Sequence, residues 1–392
     1  DHVRKKKIET YGNIDIDHII SAPDVDTVYK IPLNFEAEGI GDKMLDHFGL
    51  PARRTPDWSD WIRRVSRITN PDRTLKIAMV GKYVEIGDFA LTDSYVSVNQ
   101  ALEHAGAEIG ANVEIKWVTA TEFENDKESI ESLREFDGLL VPGAFGATGA
   151  EGMISSIRFA RENKLPYLGL CYGLQMAVIE YARNVAGMTD ANSTEIDKAT
   201  PYPVITVMDE QRTIIDPEVW ERWREISPQI ELVANAWEGG THQLGGTMRL
   251  GSYAARLREG TLIHQLYQEV NRLDADRQQL EKMRKERNQG FRIGRFDESG
   301  PVVIERHRHR YEVSPDYVQQ LEDAGLVFSG FHETADGTRL MEFIELPTNV
   351  HPYFVATQAH PEFRSRLEAP APLFLGFLRA ALEHSVSQDS KK

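Results

Sequence analysis

The pattern of apolar and polar positions becomes regular at Leu75. Beyond it, short unbroken apolar runs alternate with stretches of helical period: LKIAMVG, SYVSVNQALEHAG, ANVEIKWVTA, KESIESLREF, DGLLVPG, GMISSIRFARENK, LPYLGLC and YGLQMAVIEYARNVAG. Runs so short and so apolar predict strands buried on both faces, and helices of about ten to fifteen residues between them predict βαβ crossovers. The expectation is an α/β fold: a mostly parallel open sheet flanked by helices, with its sites at the carboxyl ends of the strands. Residues 200–360 carry more strand signal, in GGTMRLGSYAARL, RLMEFIEL and YFVATQAH, and APLFLGFLRAALEHS predicts a closing helix.

Upstream the pattern is looser. Residues 1–50 read as a smaller α/β piece: a helix with a basic start, a strand at HIISAP, and a helix across NFEAEGIGDKMLDHFGL. Residues 51–74 have prolines near both ends and place Trp58, Trp61, Ile62 and Val65 at helical spacing, which predicts a linker helix packed on a neighbour. The main domain is set at 75–386. Within it, residues 267–300 are charged, helical and then glycine-rich, and they predict a solvated surface insertion.

Composition narrows the partners. A net charge of −16 argues against a nucleic-acid backbone held by bulk electrostatics, whereas a nucleotide needs only a local basic pocket. No apolar run reaches the roughly 18 residues of a membrane span, and no signal peptide is expected. The single cysteine, Cys171, cannot form an internal disulfide and fits a reducing, cytoplasmic setting. The chain opens at Asp1 without an initiator Met, so a piece of a longer or processed protein is expected.

That cysteine stands in Gly169-Leu170-Cys171-Tyr172-Gly173, between a predicted strand and a predicted helix. The glycines permit a sharp turn that lifts the side chain above the sheet, as in a nucleophile elbow. The helix that follows aims its first N–H groups at the sulfur, which favours a thiolate and offers the Tyr172 N–H to an oxyanion. A thiol nucleophile needs a base held by a third group. His360 in VATQAHPEF follows a strand run, and an extended chain there would point Glu362 the same way. His307 and His309 in ERHRHRYEV are the rival. Alternation puts them on one face with Glu305 and Tyr311, and Arg306, Arg308 and Arg310 on the other, a pattern suited to binding a carboxylate. No metal site is expected, because the run lacks cysteine partners. The loop Val141-Pro142-Gly143-Ala144-Phe145-Gly146 supplies backbone N–H groups for the other half of an oxyanion hole.

Small-residue loop, Gly-x-Cys-x-Gly elbow and late His-Pro-Glu together resemble the class I (triad) glutamine amidotransferases, whose fold is flavodoxin-like. GKYVE followed by DSYVSVNQAL, RFARENKLPYLGLCYGLQ, ANSTE, GGTMRLG and ERHRHRYEV resemble the glutaminase domain of the CTP synthase family. ISAPDVDTVYKIPLNFEAEGI resembles the last part of that family's synthetase (amidoligase) domain, which makes residues 1–50 a remnant of it. The likeness covers nearly the whole chain outside 267–300.

The resemblance implies a ligase of pyrimidine nucleotide biosynthesis, in which glutamine hydrolysis supplies ammonia for the ATP-dependent conversion of UTP to CTP. It implies Mg²⁺ on the synthetase side, GTP as activator and a homotetramer when full length. By motif, Cys171 is the nucleophile, His360 base then acid, and Glu362 its orienter. Gly143, Ala144 and Tyr172 line the oxyanion site; Ala144, Tyr172, Gln175, Glu195 and Arg310 surround L-glutamine; Lys7, Asp24 and Val25 are nucleotide contacts. Two departures stand out. Ala144 replaces the family's second loop glycine, where a left-handed φ would cost a side chain about 1 kcal/mol. Thr148 replaces an Arg linked to the GTP response. The family's phosphate-binding loop, Mg²⁺ carboxylates and most UTP contacts lie upstream of the matching part, so this chain alone is not expected to make CTP. The alternatives are a free-standing glutaminase or γ-glutamyl hydrolase, and a regulatory or assembly module without chemistry.

Overall fold

The computed structural model describes residues 2–82, 85–86, 89–90, 95–126, 128–208, 248–286, 290–295 and 300–390. It divides into two units, residues 1–74 with 106–112, and residues 75–105 with 113–392.

The first unit holds α1 (His2–Gly12), α2 (Ile31–Ala37), α3 (Ile40–His47) and α4 (Ser59–Thr69). HIISAP does not form a strand. The chain there is irregular after a 3-10 turn at Ile16–His18, and Pro23 removes a ladder donor. The long helix expected after it breaks in two at Gly39, whose φ is +68°. On α4 the Trp61 indole donates to the Tyr29 carbonyl at 2.7 Å and Val65 is buried. Ile62, however, faces solvent, and Arg64 takes the inward place, paired with Asp60 at 2.8 Å and with Glu108. A guanidinium turns inward when two carboxylates wait for it.

Next come β1 (Arg73–Gly81), the small pair β2 (Glu85–Ile86) and β3 (Phe89–Ala90), α5 (Val96–Ile109), β4 (Ala111–Thr119) and α6 (Ala120–Asn125). Then follow β5 (Gly138–Val141), α7 (Ala150–Asn163), β6 (Tyr167–Leu170) and α8 (Tyr172–Asn184). KESIESLREF is a 3-10 run, Ser129–Glu135, rather than an α-helix; Leu133 is its one buried residue, too little to anchor a helical face. The chain continues with β7 (Ala191–Ser193), β8 (Tyr202–Thr206), β9 (Arg249–Leu257), α9 (Leu262–Glu269), α10 (Arg272–Lys285) and α11 (Gly290–Ile293). The last elements are β10 (Val302–His309), β11 (Glu312–Val313), α12 (Pro315–Asp323), β12 (Val327–Glu333), β13 (Arg339–Glu345), β14 (Phe354–Thr357) and α13 (Pro372–Asp389). The start of GGTMRLG lies outside the described residues, as do parts of GKYVE and DSYVSVNQAL.

Among the described residues, nine strands form one sheet in the order β10-β9-β12-β13-β14-β6-β5-β1-β4. Strands β1, β5, β6 and β14 are parallel, the expected α/β core. From β14 outward, β13, β12, β9 and β10 pair antiparallel and make a wing. Alternation decides what covers each face. Leu139, Val141, Ala78 and Val80 pack with Met153, Ile157, Leu174 and Val178 of α7 and α8. Gly138 turns the other way, toward α13, where a Cβ would meet the Phe377 ring at 2.7 Å.

Within the 267–300 stretch, residues 267–286 are docked rather than a solvated insertion. Tyr267 and Asp276 are fully buried, and Leu280 and Met283 join Ala254, Val302 and Ile304 in a local core. Sparse apolar residues hid a docked helix, because only one face of α10 needs them.

Candidate active site

Cys171 follows β6 directly and caps α8 with φ +50° and ψ −97°, a left-handed backbone rare for a side chain. Close packing explains both flanking glycines. A Cβ at Gly169 would lie 2.5 Å from the Tyr167 hydroxyl, and one at Gly173 would lie 2.3 Å from the Val141 carbonyl oxygen. The Cys171 N–H donates to the Thr357 carbonyl at 2.7 Å, which joins the elbow to β14.

Just past β14, His360 meets the elbow. Its Nδ1 is 2.7 Å from Glu362 Oε1, and Cys171 acts electrostatically on the same ring. The contact is made by a turn and not by an extended chain: Pro361–Arg364 is a 3-10 turn, begun by a proline that fixes φ and has no N–H. Burial alone would lower the His360 pKa. The charges of Glu362 and Cys171, with their hydrogen bonds, outweigh it and hold the imidazole well above its usual range. That balance favours the imidazolium form of His360 beside Cys171.

The loop after β5 closes the third side. A Cβ on Gly143 would sit 2.9 Å from His360 Cε1 and 3.6 Å from Cys171 Cβ, so the backbone lies against both. Ala144 is absent from the residues with positive φ, so its methyl carries no left-handed strain. The loop is braced from three directions. Gly146 N–H donates to Glu195 Oε1 at 2.8 Å, and the Tyr172 hydroxyl donates to the Gly146 carbonyl at 2.6 Å. Lys82 Nζ donates to the carbonyls of Phe145 (2.9 Å) and Gly146, over the Tyr172 ring at 4.3 Å. Burial lowers the Lys82 pKa to about 8, against the pull of Glu195 and Glu124.

Gln175 reaches the site through Gln358: its Nε2 donates to Gln358 Oε1 at 3.4 Å and to the Tyr311 carbonyl at 3.0 Å. Gln358 Nε2 in turn donates to Cys171 Sγ at 3.6 Å. Arg310 stands at the end of β10 beside Tyr311, with its Nε buried and unbonded. Lys7 and Asp24 are exposed and Val25 half-buried in the first unit.

Gln358 and the bracing role of Lys82 escaped the sequence reading, although GKYVE and ATQAHPEF contain them. The rival histidines face elsewhere. His307 and His309 are buried 2.9 Å apart, kept neutral by burial and by Arg249, whose guanidinium binds Glu342 at 2.6 Å and Glu312 at 3.2 Å. Arg306 and Arg308 face solvent. Among the described residues no cluster of three or more potential ligands could hold a metal ion, and no helix is long and apolar enough to cross a membrane.

A cysteine on an elbow, a histidine bound to a carboxylate, and a backbone loop beside both make a constellation for acyl transfer from an amide. The glutamine amidotransferase class-I family model matches residues 90–380, and the chain belongs to that family. Within it the curated relatives include CTP synthases. The one from Methanopyrus kandleri is 42% identical over 96% of this chain and 58% of its own length; that from Pyrococcus abyssi is 40% identical over 98% and 59%. A solved structure of the Trypanosoma brucei CTPS glutaminase domain with bound acivicin superposes with a TM-score of 0.59 at 30% identity, covering 79% of this chain and 94% of that one. The chain thus spans 58–59% of the length of these two curated relatives.

Proposed function

We propose that this chain hydrolyses the side-chain amide of L-glutamine and that the ammonia serves the synthesis of CTP from UTP. The observation that carries the reading is the meeting of Cys171, His360, Glu362 and Gly143 at the ends of β6, β14 and β5. The thiolate attacks the amide carbon, and the oxyanion is received by backbone N–H groups of the Gly143–Ala144 loop and Tyr172. His360, oriented by Glu362, gives its proton to the departing nitrogen; ammonia leaves and a glutamyl thioester remains on Cys171. The same imidazole then takes a proton from the water that attacks the thioester, and glutamate leaves with the thiolate restored. Arg310 suits the substrate α-carboxylate and Glu195 its ammonium group, with Gln175 and the Ala144 backbone beside them.

The synthetase half-reaction, with ATP, UTP and Mg²⁺, belongs in this proposal to the further part of the relatives' length. Lys7, Asp24 and Val25 are its nucleotide contacts on this chain. The assembly is a homotetramer in a cytoplasmic setting, and GTP is the activator.

The test is glutamate release from glutamine by the chain and by Cys171→Ala, each with and without GTP. Release by the chain alone that vanishes in Cys171→Ala is expected. Absence of Cys171-dependent release, even with a synthetase domain supplied in trans, would sink the hydrolytic reading and leave a module without chemistry. A rate unchanged by GTP would remove the activator and trace to Thr148.

A further inference from the structure

The helix α10 touches none of the groups around Cys171, yet it is built inward. Asp276 is fully buried at 0% exposure, beside Leu280 and Met283. A carboxylate so placed destabilises a fold unless it is paired, and its pairing is specific. Oδ2 accepts the Ile304 N–H at 2.9 Å, and Oδ1 accepts from Arg364 Nη2 at 2.7 Å and from Arg272 Nε at 3.1 Å. Gln279, further along α10, accepts from the same Arg364 nitrogen at 3.0 Å. Arg364 Nη1 donates to the Ile304 carbonyl.

These contacts converge on the outermost strand of the sheet. One side of β10 pairs with β9. On the other side Ile304 gives its N–H to Asp276 and its carbonyl to Arg364, while the Arg306 carbonyl accepts the His360 N–H at 2.7 Å. Arg364 ends the same short turn that carries Glu362. The turn is therefore tied to β10 at both ends, and α10 secures the far tie.

We propose that α10 is a clamp on this turn and that Asp276 is a positioning residue: through Arg364 it fixes the Pro361–Arg364 turn, and so holds the Glu362 carboxylate against His360 Nδ1. The inference rests on the hydrolytic reading above. Asp276 meets neither Sγ nor the substrate's proposed binding groups, so its loss disturbs the chemistry more than glutamine binding.

Asp276→Asn in the full chain keeps the shape and removes the charge. Two readouts apply: the pH dependence of Cys171 alkylation by iodoacetamide, which needs no substrate, and the steady-state constants for glutamine. As Glu362 loses its hold on His360, the imidazolium beside the sulfur is less favoured and the alkylation midpoint is expected to rise by about half to one pH unit. For the same reason kcat falls about 10- to 100-fold, with KM changed less than about threefold. Arg364→Lys keeps the charge but loses the fork, and it moves both readouts the same way by less. Leu280→Ala opens a hole one turn further along the same helix and keeps the carboxylate with its partners; it lowers the Tm and leaves the alkylation midpoint in place. If Asp276→Asn does not fold, Arg364→Lys decides alone. An unmoved midpoint with unchanged kcat in the deciding variant overturns the clamp. An equal rise in Leu280→Ala overturns it too, since general loosening would then explain everything. A wild-type chain that turns over no glutamine defeats the hydrolytic reading, while the alkylation comparison still judges the clamp.

Discussion

Cys171 holds a conformation that side chains avoid, and its neighbours make that possible by being small. Gly173 shows how little room there is, because any Cβ there would meet the Val141 carbonyl oxygen at 2.3 Å. Gly173→Ala is expected to cost about 1–3 kcal/mol through forced backbone shifts and to lower glutamine turnover by disturbing the elbow, read by chemical denaturation and by glutamate release. Opposite the elbow, Lys82 is a half-buried cation with a lowered pKa of about 8, against an ordinary value of 10.5. Below pH 8 both folded and unfolded chains hold this proton, and the fold bears the full cost of burying it. Between about 8 and 10.5 the unfolded chain binds the proton more, so stability from this group rises with pH. Wild type is therefore expected to gain on Lys82→Met across that window, and parallel denaturation curves at several pH values check it. Turnover by Lys82→Met is expected to fall at every pH, because the Phe145 and Gly146 carbonyls lose their brace.

At the scale of elements, the parallel core was legible and the wing only in part. Strands buried on both faces announce themselves as apolar runs, and LPYLGLC, DGLLVPG and YFVATQAH led to the Cys171 elbow, the Gly143 loop and the strand before His360. The turn that joins His360 to Glu362 was less legible. Two residues of separation fit an extended chain as well as a 3-10 turn, and only Pro361 hinted at the second. The ties of α10 were not legible at all, since Asp276 and Arg364 are 88 positions apart and surface-like in composition. Buried charge beside the wing has the same character: Arg249 and Glu342 of the wing and Glu312 of β11 come from three strands and meet only in the fold. Arg249→Met leaves two buried carboxylates without their cation, and a loss of about 3–5 kcal/mol at pH 7 is expected. Burial already raises the Glu342 pKa with Arg249 present, and without that cation Glu342 protonates more readily in the fold. The loss is therefore smaller at pH 5 than at pH 7, and denaturant midpoints at the two values measure it.

Across the whole molecule, the proposed hydrolytic residues all fall in the second unit, and the segment from Leu50 to Asp57 is exposed throughout, including Arg53 and Arg54. Brief trypsin treatment is expected to cut there and leave glutamine hydrolysis intact, with the cut located by mass and the activity by glutamate release. Lost turnover on cleavage would assign the first unit a part in hydrolysis. The far end of the sheet has a different kind of exposure to manage. A terminal strand offers unpaired N–H and carbonyl groups to any other chain, and natural sheets cover or charge such borders. Here Ile304 and Arg306 give those groups to the turn of His360 and to α10. Colloidal behaviour and catalytic order thus draw on the same few bonds. A preparation in which the turn lifts is expected to recruit further copies through the bared border, so light scattering on standing would grow in step with the turnover that is lost.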